Sequence, residues 1–436
     1  MKDFKKILKQ NIAEIVTNRK QYVQKSEKDF QRDRKLPFET MVYSILSLGS
    51  KDLKCEIMDQ FGIQADIPSV SAFVQQRNKI SSSAFETLFR NFVHSAYKPK
   101  LYKGYRLLAV DGSDLHVPTN PKETRSYYFG TNGQKHYNLL HLNAMYDLGN
   151  RIYTDAMVQH SRDANEHKAF TTMVDRDDCE LPTVYIADRG YESFNNLAHV
   201  QEKGQYFLIR IKDVASRGGI AQGLSLPASK EFDLPFSLNL TRKQTKAAKA
   251  DTNLKYLTHG IVFDYLPAKC KKSIPVTPYT LAFRIVRCQI SEDIFETLIT
   301  NLPAPTFSLT DLKQLYAMRW GIETSFRTLK YTLGLIYFHS KKTEFILQEI
   351  FAKLTMYNFT ELITSHVILQ RKKRKHPIKV NFSASVHICS KFLLKNIPPS
   401  EIEALISRFL VPIRQAVSCE RKMSAKHAVS FLYRIA

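Results

Sequence analysis

Apolar residues in the first hundred positions recur at helical intervals. Phe38, Val42, Ile45 and Leu46 fall on one face, and Pro37 stands where a helix begins. Residues 69–80 (SVSAFVQQRNKI) continue the pattern, with Ser69 or Ser71 placed to cap, Phe73 inward and Gln75, Gln76, Arg77, Asn78 and Lys79 on the remaining surface. From about residue 104 the period shortens to that of strands. Residues 105–110 (YRLLAV) end at Asp111, and residues 139–146 and 151–158 flank the turn signal Asp147-Leu-Gly-Asn. A helical stretch at 166–174, a strand at 183–187 ending at Asp188, a helix near 193–202 and a strand at 206–211 follow, which implies a mixed α/β sheet. Residues 232–240, 256–265, 279–290 and 295–302 are strand-like and joined by Pro-rich and Lys-rich loops. From Leu309 the pattern is helical again to Ala436, interrupted by the basic run 371–375 and by Pro377.

These changes of period divide the 436 residues into a helical unit over 1–100, an α/β core over 101–212 and 311–340, a β-rich insertion over 213–310, and a helical region over 341–436. No run approaches the roughly 18 apolar residues of a membrane span. The amino terminus is basic but meets Asn11, Glu14 and Asn18 where a secretory signal would be apolar, so a cytoplasmic protein is expected. The six cysteines form no C-x-x-C pair, which argues against a zinc site or a disulfide framework. Phosphate-loop, nucleophile-elbow and dinucleotide glycine motifs are also absent from the sequence.

Charge narrows the choice of partner. Lys and Arg number 64 against 41 Asp and Glu, a net of +23, and the excess gathers at the ends: 19 basic against 11 acidic over 1–105, and 17 against 6 over 331–436. Such a chain favours a polyanion, since phosphate neutralisation releases counterions. Gln75, Gln76, Arg77 and Lys79 are candidates for contact with DNA bases, because Gln and Arg read base edges; a solvated polar face is the alternative. The run 371–375 is a further candidate for backbone contact.

Two carboxylates, Asp111 in AVDGSDLH and Asp188 in YIADRGY, stand at the ends of apolar strands. A third lies on a helix. At about 100° per residue, Tyr316, Arg319, Glu323 and Lys330 share an arc of about 60°, while Leu315, Met318, Ile322, Phe326, Leu329 and Leu333 form a docking stripe beside it. Taken alone, Arg319–Glu323 and Glu323–Arg327 could be an exposed ion-pair ladder. Three carboxylates from two strands and a helix could instead hold two divalent cations for phosphoryl transfer, with Tyr, Arg and Lys gripping phosphates. Asp114 and His116 lie close to Asp111 and read as loop-capping residues, with assistance to the metals or DNA as the alternative, and His136 and His141 read as surface or packing residues.

The spacing Tyr-x2-Arg-x3-Glu-x6-Lys, met by Tyr316, Arg319, Glu323 and Lys330, resembles the signature of the DDE transposases of bacterial insertion sequences, in particular the insertion-sequence-four group. Asp111-Gly-Ser and Asp188-Arg-Gly-Tyr resemble that family's contexts for its two aspartates, and a β insertion before the glutamate is also a family feature. The resemblance implies a ribonuclease-H-like mixed-sheet core and two Mg²⁺ ions, for which Mn²⁺ can substitute, on Asp111, Asp188 and Glu323. It implies cut-and-paste transfer of an element through a hairpin intermediate, and a homodimer that pairs inverted-repeat ends and inserts them into target DNA in the bacterial nucleoid. Tyr316, Arg319 and Lys330 would hold the phosphate, with Arg189 and Arg327 as neighbouring DNA contacts. Some relatives stack a flipped base on a Trp of the insertion. The only Trp here, Trp320, lies in the helix motif, which leaves Tyr256, Phe263, Tyr265 and Tyr279 as candidates for that role. A retired transposase that only binds DNA, and a nuclease without strand joining, remain alternatives.

Overall fold

The computed structural model describes residues 2–413 except 33, 132, 134, 215, 217, 228, 244–253, 268–276, 293 and 368–376. The basic run 371–375 and the last 23 residues therefore lie outside the described residues. Five helices open the chain: α1 (Lys2–Thr17), α2 (Phe38–Ser47), α3 (Leu53–Phe61), α4 (Val70–Arg77) and α5 (Ser83–Ala96). Pro37 precedes the first turn of α2, and Ser69 caps α4 by accepting from the Ala72 N–H at 3.1 Å. Ser69 thus supplies the expected cap.

The centre is a mixed sheet. Strands β1 (Arg106–Val117), β2 (Tyr127–Tyr128), β3 (Tyr137–Asp147) and β4 (Ile152–His160) are antiparallel neighbours. After α6 (Glu166–Arg176), β5 (Thr183–Ala187) lies parallel to β1; after α7 (Phe194–Glu202), β6 (Tyr206–Ile211) lies parallel to β5. An antiparallel meander followed by two parallel strands beside its first member is the ribonuclease-H-like arrangement. The insertion strands β7 (Phe232–Thr241), β8 (Leu254–Tyr256), β9 (Tyr279–Ser291) and β10 (Ile294–Thr300) extend this same sheet, because β10 pairs with β6. Of the expected strand at 256–265, only Tyr256 is in a strand.

One expectation needs correction. β1 does not stop at Asp111 but runs six residues further, paired with β3 throughout. The apolar run ends there for another reason: the register with β5 finishes at Val110↔Ala187, so beyond it β1 has a neighbour on one edge only.

Helices α8 (Leu309–Met318) and α9 (Trp320–Tyr331) cover one face, and α6 and α7 cover the other. Next comes α10 (Thr343–Thr364), which is buried on every side. A helix buried all round sits at a core's centre, and α10 does, packed against α2, α5, α1 and β4 with its polar side chains Gln348, Glu349 and Lys353 hydrogen-bonded inside. The chain ends its described part with β11 (Ile378–Val380), α11 (Phe382–Leu394), α12 (Pro399–Arg408) and β12 (Leu410–Pro412). Leu8, Met41, Phe89, Phe351, Phe392 and Ile406 belong to one apolar core, so the two terminal helical regions form a single body. Among the described residues no helix is long and apolar enough to cross a membrane.

Candidate active site

Parallel register places the first two acids. Val110 pairs with Ala187, so Asp111 and Asp188 occupy the next step on neighbouring strands, which run about 4.8 Å apart. Each carboxylate is held by local backbone: Asp111 accepts from the Gly112 N–H and Asp188 from the Gly190 N–H, both at 2.8 Å. The third acid comes from α9, which packs on β1 through its apolar stripe of Ile322, Phe326 and Leu329.

Arg319 ties the parts together. It stands at the junction of α8 and α9, where Arg319 N–H bonds to the Tyr316 carbonyl and Ile322 N–H to that of Arg319, a tightened turn between two helices. Its guanidinium lies 2.8 Å from Glu323 and 3.9 Å from Asp111, with the Tyr316 and Trp320 rings at 5.6 and 5.3 Å. Only 6% of the residue is exposed, and Nε is buried without a partner. Three turns on, Lys330 Nζ donates to Ser113 Oγ at 2.8 Å, so the polar stripe faces β1 along its length. Met318 departs from the expected docking stripe and is exposed.

Electrostatics show that the acids share one field. Burial, with Asp188 and Glu323 adding to it, pushes Asp111 up to about 6 against the opposing pull of the Gly112 N–H and Arg319. Burial lowers the Lys330 ammonium and raises the Tyr316 hydroxyl. Among the described residues, no three His, Cys, Asp or Glu side chains converge to metal-ligating distance, and Glu323 is turned onto Arg319. An all-oxygen donor set of this kind suits a hard cation such as Mg²⁺ or Mn²⁺.

Beneath the acids lies a layer that sequence reasoning missed. His141 on β3 pairs through Nδ1 with Asp114 at 2.8 Å and stands with Nε2 at 3.0 Å from Glu166 at the start of α6. Burial opposes its charge, yet the two carboxylates outweigh burial and bring it up to about 9. Asp114, His116 and His141 are therefore strand residues, and Asp114 and His141 belong to a charged cluster, not to loop caps or plain packing. A methyl group at Gly112 would overlap both His141 Nε2 and Glu166 Oε1, which is why glycine follows Asp111. Tyr191, from the DRGY segment, is buried with its hydroxyl unpartnered and lies in the field of Glu166, Asp111 and Asp188. The one available signal was cross-strand register, Asp114↔His141, and it requires knowing the pairing.

Other candidates scatter. Arg189 and Arg327 are exposed beside Asp188 and on α9. On α4, Gln75 is exposed and Lys79 half-buried, but Gln76 and Arg77 are buried. Arg77 bonds to Glu349, Gln348 and the Phe345 carbonyl of α10, so as placed it does not face DNA. Phe263 is buried, and Tyr265 and Tyr279 pack on it with centroids at 6.0 and 5.2 Å, so core packing occupies these insertion aromatics. Trp320, by contrast, is 58% exposed at the mouth of the site.

Comparison with known proteins bears on the family. Residues 102–359 match the family model of the transposase DDE domain. The chain is 24% identical over 392 residues to the transposase InsG for insertion sequence element IS4 of Escherichia coli K12, covering 86% of this chain and 80% of that one. It is 23% identical over 332 residues to the transposase for insertion sequence element IS231E of Bacillus thuringiensis subsp. finitimus, covering 67% and 64%. Among solved structures it is similar to a piggyBac transposase synaptic complex with hairpin DNA, at a TM-score of 0.42 and 12% identity over 95% and 84% of the two chains, a likeness too low to bear on the fold. With more than half its length matched, Asp111, Asp188 and Glu323 included, the chain belongs to the transposase DDE domain family.

Proposed function

We propose that this protein cuts DNA at the ends of an insertion element and joins the freed 3′-hydroxyl to target DNA, with Asp111, Asp188 and Glu323 as its catalytic acids. One observation carries the reading: two aspartates stand where the parallel pairing of adjacent strands ends, a glutamate on the docked helix shares Arg319 with the first of them, and burial, with Asp188 and Glu323 adding to it, holds Asp111 up to about 6. Carboxylates crowded in this way are gathered for a cation or a proton, and crowding for packing alone is costly. Bound Mg²⁺ or Mn²⁺, two ions by analogy with the family, would activate the attacking oxygen and stabilise the leaving one.

The chain's own residues do the rest. Arg319 hydrogen-bonds Glu323 and retains a partnerless Nε, so turning Glu323 toward the aspartates frees a planar fork for a phosphate. Lys330, anchored on Ser113 with its ammonium weakened by burial, gains from a nearby phosphate charge. Tyr316 backs the guanidinium and sets its angle. A cut-and-paste route through a hairpin and a homodimeric assembly on two ends follow from the family resemblance.

The test uses the full chain, Mg²⁺ and a duplex ending in the inverted repeats that bracket the reading frame. Asp111→Asn, Asp188→Asn and Glu323→Gln are each expected to abolish nicking while DNA binding persists, and nicking that survives any one of them overturns the reading. A binding-only protein would shift the duplex and leave it intact, whereas a simple nuclease would give cut ends without joined products.

A further inference from the structure

The turn joining β2 to β3 carries an aromatic surface that the site above does not use. Phe129 is 70% exposed, yet its ring is held in place: Tyr127 and His136 meet it edge-on at 5.2 and 5.4 Å. On the other face of the same ladder, Tyr128 stacks on Tyr137 at 5.3 Å with the rings 13° apart, and Tyr137 meets His116 at 5.8 Å. Arg162 caps this row, its guanidinium 4.9 Å over Tyr128 and its Nε donating to the Tyr127 carbonyl at 2.8 Å. Lys122, Arg125, Lys135 and Arg162, close to it along the chain or the ladder, are all exposed; Arg125 is paired with Asp163 at 2.5 Å, and Glu123 is the other acid of the segment.

We propose that this hairpin is a second DNA-contacting element, on which Phe129 stacks against an unpaired base while the surrounding cations hold the backbone. The proposal rests on DNA being the substrate. Three observations favour DNA over a second copy of the chain. The rim is basic, which complements a polyanion and would set like charges against each other between two copies. The exposed ring is fixed in orientation by its neighbours, as a stacking platform requires. And the hairpin is continuous with the catalytic strand: Asp111 pairs with Ala144, and β3 leads from there to Tyr137 over a path of roughly 24 Å. That path is comparable to about seven base pairs at 3.4 Å each, so one bound duplex can reach both the acids and the hairpin.

The experiment measures anisotropy of the full chain on two labelled duplexes of one sequence, one fully paired and one with a mismatched bubble. Wild type is expected to prefer the bubble. Phe129→Ala should weaken bubble binding about tenfold and leave paired binding unchanged, with Phe129→Trp restoring it. Lys135→Glu should weaken both. Equal binding by Phe129→Ala overturns this surface alone. If Phe129→Ala lowers the molar mass in light scattering and spares DNA affinity, the patch pairs copies and the proposal fails. Absence of any DNA binding by wild type overturns both this surface and the functional reading beneath it.

Discussion

Arg77 at the end of α4 and Arg319 at the head of α9 are both buried arginines at a helix terminus. Their environments differ in one respect. The Arg77 donors are taken up by the protein: Glu349 at 2.9 Å, Gln348 at 2.8 Å and the Phe345 carbonyl at 2.6 Å, in a site 1% exposed. His339 shares Glu349, and Lys353 donates to the Leu48 carbonyl nearby. Although burial disfavours its charge, His339 and Arg77 hold Glu349 down to about 2. Arg319 meets two carboxylates, one at 3.9 Å, and leaves Nε unused among acids that repel one another. A satisfied buried charge locks two elements together; an unsatisfied one is held ready for a ligand.

The sharpest break of this comparison exchanges the two roles. Arg77→Ala leaves Glu349 in the core with only His339 of its two charge partners and is expected to cost about 3–5 kcal/mol, the usual penalty for removing one partner of a buried pair. Arg319→Ala should cost about 1–2 kcal/mol and abolish strand cleavage. Urea denaturation of both variants decides the point. Equal losses of stability would mean that Arg319 is a structural staple as well.

A middle-sized effect concerns pH. The folded protein raises Asp111 from 3.8 to about 6, so it favours the protonated acid. The resulting stability is fully present below the unfolded value, declines as pH rises, and is gone above about 6. In metal-free buffer Asp111→Asn should therefore stabilise the protein by about 1–3 kcal/mol at pH 8 and by nothing near pH 3. Thermal melts across that range check it. A flat difference would mean that the folded protein does not raise Asp111, and the picture of a buried acid at this site would lose its support. The Glu349 cluster gives the opposite sign, because its folded value is lowered: its stability is lost only as pH falls from the ordinary carboxyl range to about 2.

The mixed α/β character of the centre and the polar stripe from Tyr316 to Lys330 were legible from the sequence, since strand period and helix spacing are local signals, whereas the joining of the insertion strands to the same sheet was not. Three further things were not. The end of β1 was misplaced because a strand that loses one neighbour turns polar while remaining a strand. The Asp114–His141–Glu166 cluster depends on register and on a helix start fifty-two residues from Asp114. Arg77 looked exposed because a helix pattern shows which side is apolar and not whether a second helix, 268 residues later, will cover the polar side with matching charges.

The smallest prediction tests what remains of α4 as a DNA reader. Gln75 is the residue of its polar run that faces solvent most freely, and its amide bonds only to Ser71 at 3.3 Å. Gln75→Ala should change stability by less than about 0.5 kcal/mol, as for other surface positions without special partners. DNA affinity is expected to stay within twofold of wild type in anisotropy titrations, with twofold standing for about 0.4 kcal/mol. A loss of about tenfold or more would show that α4 reads bases through the face left open while Arg77 fixes its back, and the contrast between the two helices would then lie in which face each turns to DNA.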